Sequence, residues 1–346
     1  MKRTDRARGR RGVVTGAGAG LALALLLSAC TSGVPSTTDS GTVTAERNDT
    51  VSPGSYTHHA TTLDGIERTW NVYTPDAGPS DGPMPVVLVV HGTGDTGDGI
   101  RSGIGPDLEL EAEEHGFIVA YIDGHDNNWN ECRVAGDWAA KEKDLDDVGL
   151  MRHVVDTLHS ERTFAVGFSS GGHMVQRLAY EAPDLVDAIA SVNANVPTDD
   201  NLGCRDSGDP VPAIFMQGRE DPMNPFDGGE VVVGSGIFAE SRGEVHSARA
   251  SAEWFAERNG IPADSAAPAV RDGHGEITTW DGRFPVRLVA VDHSGHSFPT
   301  GTGRWGNTGG ARYDGPGAIW EFFSGTSSLH SPRPRGDRPA PATPVI

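Results

Sequence analysis

The chain has 346 residues, with 28 Lys and Arg against 48 Asp and Glu, a formal net charge of −20 at pH 7. The basic residues crowd the start. Residues 1–29 hold Lys2, Arg3, Arg6, Arg8, Arg10 and Arg11 against Asp5 alone, so the remainder carries 22 basic and 47 acidic side chains, a net charge of −25. A protein that acidic would be repelled by a phosphate backbone and by anionic lipid, which argues against a nucleic-acid partner and against electrostatic membrane binding. Gly (46) and Pro (23) make about a fifth of the chain. That is less than a low-complexity sequence carries and reads as many turns in a large folded domain.

The N-terminus reads as an address. A basic stretch over residues 2–11 precedes an apolar Ala/Leu/Gly run over 13–27, followed by Leu27-Ser28-Ala29-Cys30. The apolar run is too short to span a membrane and has the build of a signal peptide. Its ending resembles a bacterial lipobox, which implies cleavage before Cys30 and acylation of that cysteine. An ordinary secretory signal is the alternative. The Ser/Thr/Gly/Pro-rich stretch that follows, to residue 55, reads as a flexible tether with an rms reach of about 25–30 Å. Residues 327–346, rich in Ser, Pro, Arg and Ala, read as a disordered tail.

Between residues 56 and 326 short apolar runs alternate with helical patterns. Strands are expected over 68–73, 86–90, 117–122, 163–166, 188–192, 213–216 and 286–291, because these runs are rich in Val, Ile and aromatics and most lie close to Gly or Pro. Their apolar runs are continuous, as in strands buried on both faces. Helices are expected where Val148, Met151, Val154, Val155 and Leu158 follow helical spacing, after the glycine pair 171–172, over 248–258, and over 318–323. The alternation predicts an α/β fold with a mostly parallel central sheet flanked by helices, and loops at the C-terminal strand ends that carry the chemistry.

Four segments just past predicted strands hold reactive residues. The first is Gly167-Phe168-Ser169-Ser170-Gly171-Gly172, a Gly-x-Ser-x-Gly pattern between a strand and a helix. A tight turn there projects the Ser169 hydroxyl and leaves the Ser170 N–H facing a developing oxyanion. The second is His91-Gly92-Thr93-Gly94. The Thr93 N–H is the expected second donor, and His91 reads as a structural histidine fixing the loop. No Lys follows this Gly-rich run, so it is not a phosphate loop. The third is Gly218-Arg219-Glu220-Asp221-Pro222, where Asp221, ahead of Glu220, is the expected carboxylate partner of a histidine. The fourth is His293-Ser294-Gly295-His296-Ser297-Phe298-Pro299, where His296 is the expected base, with His293 as competitor. A metal pair His293/His296 is the other reading, without an obvious third ligand at short range. The order Ser169, Asp221, His296 is the α/β-hydrolase chain order.

With Cys30 assigned to lipid, Cys132 and Cys204 remain, and two cysteines in an exported protein favour one disulfide over two free thiols. Asp146 and Asp147 read as acidic residues at a helix start. Trp129 and Trp305 are candidates for substrate contact or for the core.

Together with Pro85–Gly92, Tyr121-Ile122-Asp123-Gly124, Trp129-Asn130-Glu131-Cys132 and Asp146-Asp147-Val148-Gly149, these segments resemble the extracellular esterases of the polyhydroxybutyrate depolymerase and feruloyl esterase group, including actinobacterial lipoproteins, over roughly residues 56–326. The resemblance implies a secreted α/β-hydrolase with Ser169 as nucleophile, Asp221 as acid and His296 as base. It implies no cofactor, and hydroxyalkanoate, hydroxycinnamoyl or acetyl esters as substrates. Phe298 stands where the group usually carries Trp, and Thr93-Gly94 where a Cys-Gly or similar pair is common. The aromatic change is expected to alter the acyl pocket. No polymer-binding module is visible after residue 300, so soluble or oligomeric esters are the expected substrates. A Cys132–Cys204 bridge would stiffen the rim of the site. A serine peptidase, and a non-catalytic binding lipoprotein on the same scaffold, are the rival readings.

Overall fold

A computed structural model describes residues 53–326, apart from 77, 79–81, 105, 235–238 and 302–312. The signal segment, Cys30, most of the tether, Trp305 and the C-terminal tail therefore lie outside the described residues.

The parallel core grows from the apolar runs. β3 (Val86–Val90), β4 (Ile118–Ile122), β5 (Thr163–Phe168), β6 (Ala188–Val192), β7 (Ala213–Gly218) and β12 (Val286–Val291) lie side by side in the order β4-β3-β5-β6-β7-β12, all parallel. Alternate residues of each strand face opposite sides, so a continuous apolar run serves two cores. In β3, Val86, Leu88 and Val90 face one core, and Val87 and Val89 face the other.

Helices cover both faces. α4 (Asp147–Thr157), α5 (Ser170–Glu181) and α6 (Ala248–Arg258) bury Met151, Leu178 and Phe255 on the first face. α1 (Gly97–Ile104), α2 (Asp107–His115) and the C-terminal α7 (Gly315–Gly325) bury Ile100, Leu108 and Phe323 on the second. A short α3 (Ala139–Glu142) lies between β4 and α4.

Antiparallel strands flank the parallel core on both sides, giving ten strands in all. β1 (Ser55–Leu63) and β2 (Ile66–Thr74) add to β4; β11 (Gly275–Trp280) and β10 (Val270–Asp272) add to β12. A separate hairpin, β8 (Gly229–Val233) with β9 (Glu240–Val245), leaves the chain between β7 and α6. It rests on the loop after β6: the Thr198 N–H donates to Glu244 O, and Asn201 Nδ2 donates to Arg242 O and Glu244 O. Among the described residues no helix is long and apolar enough to cross a membrane.

Charged pairs are buried inside this frame, among them one at the start of α4. Asp146 caps α4 by accepting from the Gly149 N–H, as expected of an acidic helix start. Asp147, the first residue of α4, stands at the helix start as expected and has a further role. It is fully buried, pairs with Arg68 on β2 at 2.5 Å, and accepts from the Asn130 N–H. Burial raises its carboxyl above the usual range against the opposing pull of Arg68.

Candidate active site

Ser169 stands at the turn from β5 into α5 with φ 55° and ψ −121°, a strained backbone for a residue with a side chain. Its N–H donates to Val192 O at the end of β6. The turn admits no extra atoms. A Cβ on Gly167 would lie 2.0 Å from Gly171 O, and one on Gly171 2.1 Å from Val90 O. Glycine at both positions is therefore a packing requirement of the close approach of β5, α5 and β3.

The structure brings Ser169, His296 and Asp221 together from three loops. His296 Nδ1 is 2.7 Å from Asp221 Oδ2, and its Nε2 is 2.9 Å from Ser169 Oγ. The carboxylate can only accept, so Nδ1 carries the proton and Nε2 presents its lone pair to the serine hydroxyl. Asp221 is 1 % exposed, and its second oxygen accepts from the N–H groups of Met223 and Asn224. Glu220 and His293 are exposed and pair with each other at 3.1 Å, away from Ser169. Among the described residues no group of three or more His, Cys, Asp or Glu is arranged to hold a metal.

The loop after β3 lies against Ser169. A Cβ on Gly92 would stand 3.2 Å from Ser169 Cβ. Among the described residues neither the Thr93 N–H nor the Ser170 N–H has an acceptor. His91 holds this loop from within the core. Its Nε2 accepts from the Gly124 N–H, so Nδ1 carries the hydrogen and donates to Gly92 O. Burial keeps its pKa below the usual histidine value, which preserves that neutral tautomer. Trp129 is buried and donates from Nε1 to His91 O, a core role in place of substrate contact. Phe298 is buried as well, its ring 6.4 Å from that of Phe168 in the core. The expected effect of Phe298 on the acyl pocket has no direct route, because the side chain is enclosed. Phe168 itself packs on the His296 ring at 5.1 Å.

Cys132 and Cys204 form a disulfide that joins the loop after β4 to the loop after β6. Arg133 pairs in bridge geometry with Leu202 beside it.

Asn193 was not anticipated from the sequence. It follows β6, has φ 48° and is 1 % exposed. Its Nδ2 donates to Gly295 O and Ser297 O, the carbonyls on either side of His296. Its Oδ1 accepts from the Gly218 N–H at the start of the Asp221 loop. One amide thus ties the histidine loop to the acid loop, next to the strand end that receives the Ser169 N–H. The only sequence signal was its place immediately past an apolar strand.

No family model matches the chain. A protein named esterase NocK, from Nocardia uniformis subsp. tsuyamanensis, is 29 % identical over 323 residues, covering 82 % of this chain and 90 % of that one. A protein named feruloyl esterase C from Aspergillus terreus is 26 % identical, covering 76 % and 85 %. Among solved structures, the acetyl xylan esterase from Aspergillus awamori superposes with a TM-score of 0.50 at 15 % identity, over 78 % of this chain and 99 % of that chain. The parallel core between antiparallel flanks is the α/β-hydrolase fold, and the chain that builds it is similar in sequence to esterases over most of its length.

Proposed function

We propose that the protein is a serine esterase held outside the cytoplasm by a lipid on Cys30. The observation that carries the catalytic part is the unbroken hydrogen-bond chain from Asp221 through His296 to Ser169, set on a strained strand-to-helix turn. Ser169 Oγ attacks the ester carbonyl while His296 Nε2 takes its proton. Asp221 keeps the imidazole oriented and stabilises its charged form. The N–H groups of Ser170 and Thr93 receive the oxyanion, where preorganised donors are worth about 3–4 kcal/mol each. His296 then protonates the leaving alcohol, and water, activated by the same imidazole, releases the acyl group from Ser169. The names of the relatives favour hydroxycinnamoyl and acetyl esters over hydroxyalkanoate oligomers. Residues 1–29 act as the signal and the stretch from Cys30 to residue 55 as the tether, with 56–326 as the catalytic domain.

Hydrolysis of a 4-nitrophenyl ester panel from acetate to decanoate, together with methyl ferulate, tests this reading with the full chain beside Ser169→Ala. Turnover that disappears in the variant is expected, and the acyl profile ranks the substrates. Equal inactivity of two folded proteins would move the non-catalytic binding protein to the front.

A further inference from the structure

We propose that Arg133 forms an anion-binding subsite beside Ser169, so that the preferred ester carries a carboxylate. This rests on the esterase reading above.

The segment 129–133 lies between the two elements that define the reacting centre. At one end Trp129 Nε1 donates to His91 O, at the root of the Gly92–Thr93 loop. At the other, Arg177 on the nucleophile helix α5 donates to Asn130 O. The backbone around Arg133 is fixed on both sides: Val134 N donates to Asn201 O, Gly203 N donates to Cys132 O, and the disulfide closes the pair. The side chain is 4 % exposed. Its Nε donates to Glu131 Oε1 at 2.8 Å, and the other Glu131 oxygen accepts from the Arg133 N–H. Among the described residues Nη1 and Nη2 donate to nothing, and neither is fully enclosed, so both reach solvent.

A permanently charged guanidinium, withdrawn from water except at its two Nη groups, is costly unless an acceptor completes it. Its planar fork matches a carboxylate. His173 supplies a second unsatisfied group. It lies on the first turn of α5, its N–H donates to Ser169 O, it is 3 % exposed, and its Nδ1 has no partner among the described residues. Burial first, and then the charge of Arg133, hold its pKa well below the usual histidine value, against an interaction with Gln176.

The rim around Arg133 gathers cations in an acidic chain. Arg133, Lys141 and Arg242 lie 5.8, 5.5 and 4.9 Å from the ring centre of Trp138. Burial and the charges of Arg133 and Arg242 pull the Lys141 ammonium below its usual range, against Glu131 and Asp137. Glu240 pairs with Arg242 at 2.7 Å but is itself exposed.

Two substrate pairs of matched size test the subsite with the full chain in mild detergent. The acyl-side pair is mono-4-nitrophenyl glutarate against 4-nitrophenyl pentanoate. The alcohol-side pair is 3-acetoxybutyrate against 2-pentyl acetate, which has the same acetyl ester and no charge. In one pair the ratio of kcat/KM, charged over neutral, should exceed one and fall about ten- to a hundredfold in Arg133→Gln. The pair that responds tells which side of the ester carries the charge. Because Arg133→Gln leaves Glu131 buried without its partner, the double variant Glu131→Gln/Arg133→Gln is measured beside it. Unchanged ratios in both variants overturn the proposal. Calorimetric titration of glutarate and 3-acetoxybutyrate into Ser169→Ala reads the subsite without turnover. Binding of either that weakens about tenfold or more when Arg133→Gln is added supports the subsite even if no ester is hydrolysed. No binding of either to Ser169→Ala overturns it, whatever the fate of the esterase reading.

Discussion

Asn193→Ala removes three hydrogen bonds at once: the donations to Gly295 O and Ser297 O and the acceptance from the Gly218 N–H. At about 0.5–1.5 kcal/mol each, the loss comes to about 2–4 kcal/mol of folding stability. Catalysis should suffer separately. Gly295 and Ser297 flank His296, so freeing their carbonyls lets the imidazole drift from Ser169 Oγ, now 2.9 Å from Nε2. A displacement of about 1 Å costs on the order of a hundredfold in rate. We expect kcat to fall about ten- to a hundredfold with KM nearly unchanged, because the misplaced group acts in the reacting step and not in ground-state binding. Asn193→Gly separates the two roles of the residue. It removes the same amide but relieves the left-handed backbone at φ 48°. It should therefore be about 1 kcal/mol more stable than Asn193→Ala and equally slow. Urea unfolding and steady-state hydrolysis of 4-nitrophenyl acetate give both numbers. A glycine variant with the parental kcat would refute the argument that the amide positions His296.

Three further outcomes follow from buried groups. His173 and His91 are held below the usual histidine value of 6.5, so the unfolded chain takes up protons that the folded chain refuses. Stability should be complete above pH 6.5 and fall below it by up to about 1.4 kcal/mol per pH unit for each histidine. Chemical unfolding across that range should give a shallower slope for His173→Gln. Reduction of Cys132–Cys204, which closes a separation of 72 residues, should cost about 4 kcal/mol by loop-closure entropy. Denaturation of the reduced, alkylated protein measures it. Arg68→Met strands the carboxylate of Asp147, which is 0 % exposed, and should destabilise by about 3–5 kcal/mol, whereas removing both charges together should cost much less. A double-mutant cycle in urea reads the difference.

The parallel core was legible because its strands are short runs of Val, Ile and Leu that are buried on both faces. Of the flanking strands β2 was legible as well, over 68–73, but β1, β10 and β11 were not, nor was β9 of the hairpin. β1 reads Ser-Tyr-Thr-His-His-Ala-Thr-Thr-Leu and β9 Glu-Ser-Arg-Gly-Glu-Val, polar stretches whose conformation is set by pairing with neighbours. Helix α1 was hidden in another way. Gly-Asp-Gly-Ile-Arg-Ser-Gly-Ile has poor intrinsic helicity, and burial of Ile100 and Ile104 makes up for it. Ser169, Asp221 and His296 could be nominated because each follows a strand within a short local pattern. Asn193 could not, since its contacts to Gly295 and Ser297 span 102 and 104 residues and leave no local mark. Arg133 was hidden differently, since its side-chain bond to Glu131 is local, two residues away. Its meaning depends on which of its nitrogens are already occupied.

The place of β12 in the sheet sets an order of assembly. The strand that delivers His296 pairs with β7 on one side and β11 on the other, yet it is made after both. His296 lies 127 residues beyond Ser169 and 75 beyond Asp221. A chain emerging from synthesis can therefore form the Ser169 turn early and still lack His296 beside it. Long-range strand docking of this kind is slow. On the proposed mechanism the hydroxyl of Ser169 gains its base only when the last parallel strand has docked, so onset of ester cleavage would mark completion of the sheet and serve as a clock for folding.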